Sequence, residues 1–408
     1  MLAGRLFGEL MLTFGGVSSS SIYNDPAEMV KKLAILECNI DSRMVNQTLD
    51  DVVSTGAEGD GTVTSFHNAY GKICDELGVS LADLSDVDKA FAATHTGKVL
   101  GISYNLKTWS WWLSEDKLGP FITMLARVRD SRKISNEHML SLNGKLNHYM
   151  WLVPSGPWQR GFLLPLQDSR GQGNLLFEVS DLAKEQADWW IVNLRVASTE
   201  SRILDPRPMS SMLARACFTD AAGGSEGKLK NGAGGFCPPH HWFYLPWPKV
   251  IQENRQNSLG VKFSSKLCVL EGYAALLGLV TIPDIARNKE ICLKVDNSGF
   301  IGVYAKKHSS CPYSYTIAKA IHDVGEGLGC KVNVVKTKRC SGPGEIAADA
   351  LSHGDFKEAW ALMPMKNQDP GKIPPSLTRW INNPVPDLNL GKKVLSDMSK
   401  YTKVLHIE

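Results

Sequence analysis

The sequence predicts an α/β protein whose second half is one mixed sheet flanked by helices. Three observations predict it. From about Ala214 to His353, strand-length apolar runs alternate with helical repeats in the order β-β-β-α-β-α-α-β-α. Two of those strands end on an acidic residue, Asp220 and Asp296. Between Lys117 and about Ser201 the apolar residues recur mostly at helical spacing.

The first 130 residues or so alternate short strands with amphipathic helices. DPAEMVKKLAILECNI has Met29, Val30, Leu33 and Leu36 at helical period, with Asp25 as N-cap and Pro26 in the first turn. MVNQTLDDVVSTG reads as two β segments around a Leu-Asp-Asp turn, and SFHNAYGKICDELG as a helix closed by Gly78. GKVLGISYNLKTWSWWLS reads as a hairpin turning near Asn105. The helical stretch ends in DLAKEQADWWIVNLRV, and LDPRPMS is a linker of proline and turn residues.

The second half follows strand by strand. ARACFTDAAGG is a strand ending at Asp220, and GAGGFCPPHHWFYLPWP holds two more. FSSKLCVLEGYAALLGLV is a helix carrying Glu271. EICLKVDNSGFIGVYAKK is a strand ending at Asp296, then a helix. SYTIAKAIHDVGEGLG is a helix, CKVNVVKT a strand, and GEIAADALSHG a short helix opened by Asp349 after the loop CSGPGE. Residues 357–408, with the proline-rich turns KIPPSLTRW and NNPVPDLNLG and one short helix, read as a tail.

Composition excludes little. The 408 residues carry 45 basic and 42 acidic side chains, a formal charge of +3, so basic residues must concentrate on one face to serve a polyanion. The nine cysteines include no C-x-x-C pair, which argues against zinc and a disulfide framework and fits a reducing, intracellular compartment, cytoplasmic or nuclear. No apolar run approaches a membrane span, and Glu9 interrupts the apolar N-terminus, so no membrane partner or signal peptide is expected.

Asp220, Glu271, Asp296 and Asp349 are the candidate catalytic and metal-binding set. Ligands of α/β sheets gather at the carboxyl ends of strands, where Asp220 and Asp296 lie. Glu271 shares its helix with Leu267, Leu270, Ala274, Ala275 and Gly278, small or apolar enough to pack on the sheet. Singly, each Asp would be a turn or cap residue and Glu271 a solvated one. Together they repel, and divalent cations relieve that repulsion. Mg²⁺ (or Mn²⁺) takes oxygen ligands and bridges to phosphate. Two ions roughly 3.5–4 Å apart suit phosphodiester hydrolysis. Asp220 and Asp296 would be inner ligands, with Glu271 on one ion and Asp349 on the other.

FTDAAGG, LEGYAALLGL, LKVDNSGFIGV and AADALS resemble the ribonuclease H domain of retroelement polyproteins. The resemblance implies a ribonuclease H-like domain over 212–356, an endonuclease that cleaves the RNA strand of RNA–DNA hybrids with two metal ions. Each of the four carboxylates matches a motif position. Many family members carry a His in the loop before the last Asp that helps release product. Here that loop, KTKRCSGPGE, has none, and His353 does not match its position. Slow turnover is expected, with Lys338 or Arg339 contacting phosphate instead.

Upstream, FGGVSSSSIYND, TLDD and KVLGISYN follow an order that resembles the reverse transcriptase palm of LTR-type and, more closely, DIRS-like retroelements. SLNGKLNHYMWLVPSGPWQRGFLLPL resembles the thumb and connection that follow. The resemblance implies a partial α+β palm over 1–116, with Asp50 and Asp51 as its polymerase motif, a helical thumb/connection over 117–205, and a tail over 357–408. It departs from the family at Thr48, where an aromatic residue is usual, and in having no upstream strand with the further palm Asp. The chain is therefore expected to be an N-terminally truncated piece, inactive in primer extension alone. An upstream polymerase fragment of the same element is an expected partner. A non-catalytic nucleic-acid-binding remnant is the rival reading.

Lys145 and Arg160, set among aromatics in KLNHYMWLVPSGPWQRG, and Lys338 and Arg339 are the candidate contacts to a hybrid or primer–template duplex, beside Lys306, Lys307 and Lys336. Trp109, Trp111 and Trp112 offer stacking surfaces, but strand alternation favours burying Trp109 and Trp111 on one face. Trp189 and Trp190 are expected in packing.

Overall fold

The computed structural model describes residues 19–400 except 49–50, 80, 82–93, 100, 109, 154, 164–175, 200–201, 204–214, 224–230, 240, 264–265, 283–285, 287–289, 340 and 364–369. The chain is mixed α/β and divides into two units, one of residues 1–99 with 103–108, the other of residues 100–102 with 109–408. Among the described residues no helix is long and apolar enough to cross a membrane.

In the first unit, helix α1 (Ser19–Cys38) begins earlier than expected, so that Pro26 lies inside it and Asp25 is no N-cap. Its buried face is Ala27, Val30 and Ala34, while Met29, Leu33 and Leu36 are exposed. Small residues face inward because the helix packs closely on its partner through Phe66, Ala69, Ile73 and Cys74. Strands β1 (Val45–Thr48) and β2 (Asp51–Ser54) form an antiparallel hairpin closing at Thr48↔Asp51. Helix α2 (Thr62–Leu77) ends at Gly78, left-handed at φ 69°, as expected. The hairpin expected over GKVLGISYNLKTWSWWLS has one strand more than its two. Gly101, at φ 78°, breaks its first strand into β3 (Thr96–Val99) and β4 (Ile102–Asn105). The turn at Asn105 holds: its Oδ1 accepts from the amides of Lys107 and Thr108.

The second unit includes β5 (Ser110–Leu113), whose buried residues are Ser110 and Leu113, with Trp111 and Trp112 half-buried. Trp109 lies outside the described residues. Helix α3 (Glu115–Asp130), strand β6 (Lys133–Ser135), helix α4 (Asn136–Tyr149), strand β7 (Leu176–Glu178), helix α5 (Asp181–Thr199) and the short strand β8 (Arg202–Ile203) follow. The three helices share a core of Phe121, Leu125, Leu142, Leu146, Trp190 and Leu194. Trp190 is wholly buried and its Nε1 donates to the Gln159 carbonyl at 2.7 Å. The linker expected at 204–210 lies outside the described residues.

The mixed sheet is built from β9 (Arg215–Ala221), β10 (Gly232–Cys237), β11 (His241–Pro246), β12 (Glu290–Val295) and β13 (Lys331–Lys336), in the spatial order β11-β10-β9-β12-β13. β11, β10 and β9 are antiparallel neighbours, and β9, β12 and β13 parallel ones. Between β11 and β12 lie α6 (Lys249–Gln252) and α7 (Leu267–Val280); α8 (Ser298–Lys306) and α9 (Pro312–Gly327) bridge β12 to β13, and α10 (Pro343–Ser352) follows. Apart from the short α6, the order of elements is the one read from the sequence.

Side chains alternate along β9. Cys217 and Thr219 face α7 at Gly278, where a Cβ would lie 2.8 Å from Thr219 Cγ2. Phe218 and Asp220 face α10. On β10, a Cβ at Gly234 would lie 2.3 Å from the Ser352 nitrogen, so the glycine is what lets α10 reach the sheet. α7 is buried from Val269 to Val280, although Leu267, expected on its packed face, is exposed.

The segment expected as a tail is part of this core. It forms α11 (Phe356–Leu362), α12 (Pro375–Asn382) and α13 (Leu390–Ser399). Pro374 caps α12 and Pro375 starts it, so prolines read as turns are a helix start. Trp380 stacks on Tyr273 of α7 at 5.9 Å, and Tyr273 Oη donates to the Leu377 carbonyl at 3.0 Å. Tyr315 of α9 ties in the helical segment: the Gly161 amide and Gln186 Nε2 donate to its hydroxyl, which donates to the Trp158 carbonyl.

Candidate metal centre

β9 and β12 are parallel neighbours, and their last registered pair is Phe218↔Lys294. Two residues further on, Asp220 and Asp296 come level at one end of the sheet. Asn297 fixes the second of them: its side chain accepts from the Phe300 amide at 3.0 Å and caps α8, so the chain turns immediately after Asp296. Glu271 arrives from α7, which Gly272 lets close on Phe300, a Cβ there falling 2.2 Å from the ring. Asp220, Glu271 and Asp296 each offer one oxygen, and these oxygens lie within 4.8 Å of one another.

The electrostatics are those of an uncompensated cluster. Burial, aided by the charges of Asp220 and Asp296, pushes Glu271 up to about 10 from 4.5. Burial also raises Asp220, as do Asp349 and Asp296, against a 2.6 Å hydrogen bond from Ser352 Oγ to its Oδ2. Glu271 Oε2 is buried and accepts no hydrogen bond. A buried acceptor without a partner is costly. An all-oxygen donor set with one orphaned oxygen fits a hard divalent cation such as Mg²⁺ or Mn²⁺.

Asp349 stands differently from its expectation. It does not open α10; Pro343 does, and Asp349 sits in the second half of the helix. Arg339, on the β13–α10 loop, donates to Asp349 Oδ1 through Nε at 3.2 Å and Nη2 at 2.8 Å. Asp349 lines the same pocket as Asp220 and Asp296, together with Lys294 and Arg339, but is not one of the three converging carboxylates.

Sequence reasoning missed Ser352 and the pairing of Glu345 with Thr337, whose hydroxyl donates to it at 2.6 Å at the pocket's edge. A signal was available. Glu345, Ala348, Asp349 and Ser352 recur at i, i+3, i+4 and i+7, one face of a helix. His353 is used elsewhere, its Nδ1 3.2 Å from Asn231 Oδ1.

The candidate basic residues scatter. Lys338 is exposed beside Arg339 on the loop. Arg160 donates to Asn147 Oδ1, and Lys145 is half-buried on α4. Of the polymerase-motif pair, Asp50 lies outside the described residues; Asp51 opens β2, and its side chain lies outside them. FGGVS, residues 14–18, lies outside them as well.

In comparisons with known proteins, no family model matches the chain and no curated protein matches it.

Proposed function

We propose that the second unit is a metal-dependent nuclease that hydrolyses the RNA strand of RNA–DNA hybrids, the ribonuclease H-like part of a retroelement reverse transcriptase polyprotein. The observation that carries the reading is the convergence of Asp220, Glu271 and Asp296 within 4.8 Å, with Glu271 Oε2 buried and unpartnered. The mixed sheet and its β-β-β-α-β-α-α-β-α order support it, as do the motifs FTDAAGG, LKVDNSGFIGV and AADALS.

Asp220, Glu271 and Asp296 would hold Mg²⁺ or Mn²⁺, and Asp349 a second ion once Arg339 lets it go. Bound there, such ions activate water and stabilise a leaving oxygen. The protein's own groups do the positioning. Ser352 fixes Asp220 by its hydrogen bond. Lys294 and Arg339 line the pocket beside the carboxylates and supply positive charge for a phosphate.

Cleavage of a labelled RNA–DNA hybrid by the purified chain tests the reading. Wild type cuts with Mg²⁺ or Mn²⁺ and Asp296→Asn does not. Failure of wild type with both metals sinks it, and hybrid binding without cleavage would favour a non-catalytic remnant.

A further inference from the structure

Helix α10 is pinned to the sheet at both ends. At its last turn Ser352 Oγ donates to Asp220 Oδ2 at 2.6 Å, where Gly234 leaves room for the helix backbone. At its first turn Gly344 lies against Phe218, and a Cβ there would fall 2.5 Å from the ring. Glu345, the next residue, reaches back to Thr337, whose hydroxyl donates to its Oε1 at 2.6 Å. Thr337 is itself held by the sheet. Its amide donates to the Val295 carbonyl at 3.0 Å, and Val295 is followed directly by Asp296. One pin therefore ties α10 to the strand end that bears Asp296, and the other ties it to Asp220.

Asp349 lies between the pins, one helical turn beyond Glu345. A helix held at one point can still swing about it. Held at two points on one face, about 10 Å apart along its axis, it cannot. The Thr337–Glu345 bond also closes the base of the β13–α10 loop, which carries Arg339, the partner of Asp349. Electrostatics alone would not put a carboxylate here. Glu345 lines the same pocket as Asp220, Asp296 and Asp349, and a further negative charge adds to their repulsion.

We propose that Glu345 is a positioning residue for the second metal ion: through Thr337 it fixes where Asp349 stands relative to Asp296, without itself being a ligand. The ions belong to the nuclease reading above, on which this inference rests; the test below reads ion binding apart from cleavage.

The test is Mn²⁺ binding to the full chain in the presence of an uncleavable hybrid, its RNA strand 2′-fluoro-substituted, with free Mn²⁺ read by electron paramagnetic resonance. Wild type should bind two ions. Glu345→Ala and Thr337→Val should each leave the first ion, on Asp220, Glu271 and Asp296, nearly unchanged. Each should weaken the second roughly 10–100-fold, the range typical of residues that orient metal ligands. The double variant should be no weaker than either single one, because both remove the same hydrogen bond. Glu345→Gln keeps an acceptor oxygen for Thr337 and should retain most of the wild-type affinity. Should Glu345→Ala not fold, Thr337→Val carries the comparison. Glu345→Gln as weak as Glu345→Ala overturns the proposal, since Glu345 would then act by its charge. Additive losses in the double variant overturn it, and so does a wild type that binds one ion. A lowered thermal midpoint with both ions bound as in wild type overturns it too, leaving Glu345 only an acidic residue that favours a helix start. Two ions bound with the expected pattern, while wild type leaves an ordinary hybrid uncut, sinks the nuclease reading and leaves the positioning role standing.

Discussion

Arg339 holds Asp349 by one oxygen: its Nε and Nη2 both donate to Oδ1, at 3.2 and 2.8 Å. The pair sits on the rim, with the Arg339 side chain 63% exposed. Its net worth to folding is therefore small, about 0–1 kcal/mol. Its effect on the site is larger, because a guanidinium already neutralises the carboxylate that a second cation would use. Arg339→Gln should leave the thermal midpoint nearly unchanged while tightening Mn²⁺ binding in calorimetric titration. Weaker or unchanged Mn²⁺ binding would show that Arg339 does not compete with the ion.

Glu271 makes the metal-free protein sensitive to alkali. Its folded value is raised to about 10 from 4.5, so between those limits the folded form keeps a proton that the unfolded chain releases. Its contribution to stability is present below the unfolded value and is lost as pH rises towards the folded one. Metal-free wild type should lose thermal stability steadily from pH 5 to pH 10, and Glu271→Gln should show a flatter profile. Metal binding to the ionised form should release about one proton near pH 8, measurable by titration in buffers of different ionisation heat.

Ser352→Ala removes the 2.6 Å hydrogen bond that orients Asp220. Partners of metal ligands typically matter by roughly 10–100-fold in affinity or activity. We expect a Mg²⁺ half-saturation for hybrid cleavage raised within that range, with Ser352→Thr restoring most of it. Equal activity in the Ala variant would leave Ser352 only a helix-end role.

Gly234→Ala forces a methyl against the Ser352 nitrogen and Leu351 carbonyl carbon, 2.3 and 2.6 Å from where it would sit. Backbone cannot yield as a side-chain tip can, so the cost should reach or exceed about 1–3 kcal/mol in urea unfolding. The same displacement moves Ser352 from Asp220, so cleavage should fall even where the variant remains folded.

The sheet and its acidic strand ends were legible because they are local signals. Apolar runs of strand length with an acidic residue at the end, alternating with helical repeats, place Asp220 and Asp296 whatever packs around them. What was not legible depends on neighbours. The inward face of α1 is Ala27, Val30 and Ala34 because the partner helix comes close; hydrophobicity alone picks out Val30 but ranks the two alanines behind Met29, Leu33 and Leu36, which are exposed. The helices of residues 375–399 were hidden by Pro374, Pro375, Pro384 and Pro386, which read as turns until Pro375 is seen at a helix start. Arg339 gave no pattern linking it to Asp349, since a loop joins them only in space.

Trp380 lying flat on Tyr273 has a consequence for how the protein is made. Tyr273, on the helix that presents Glu271, is covered by Leu377 and Trp380, about a hundred positions later in the chain. A ribosome that has finished β9 through α10 has released every carboxylate of the cluster, yet Tyr273 still faces water. The centre can settle into its final shape only once Leu377 and Trp380 have been made. Premature termination after residue 370 would yield a chain with all its acidic ligands and no lasting site.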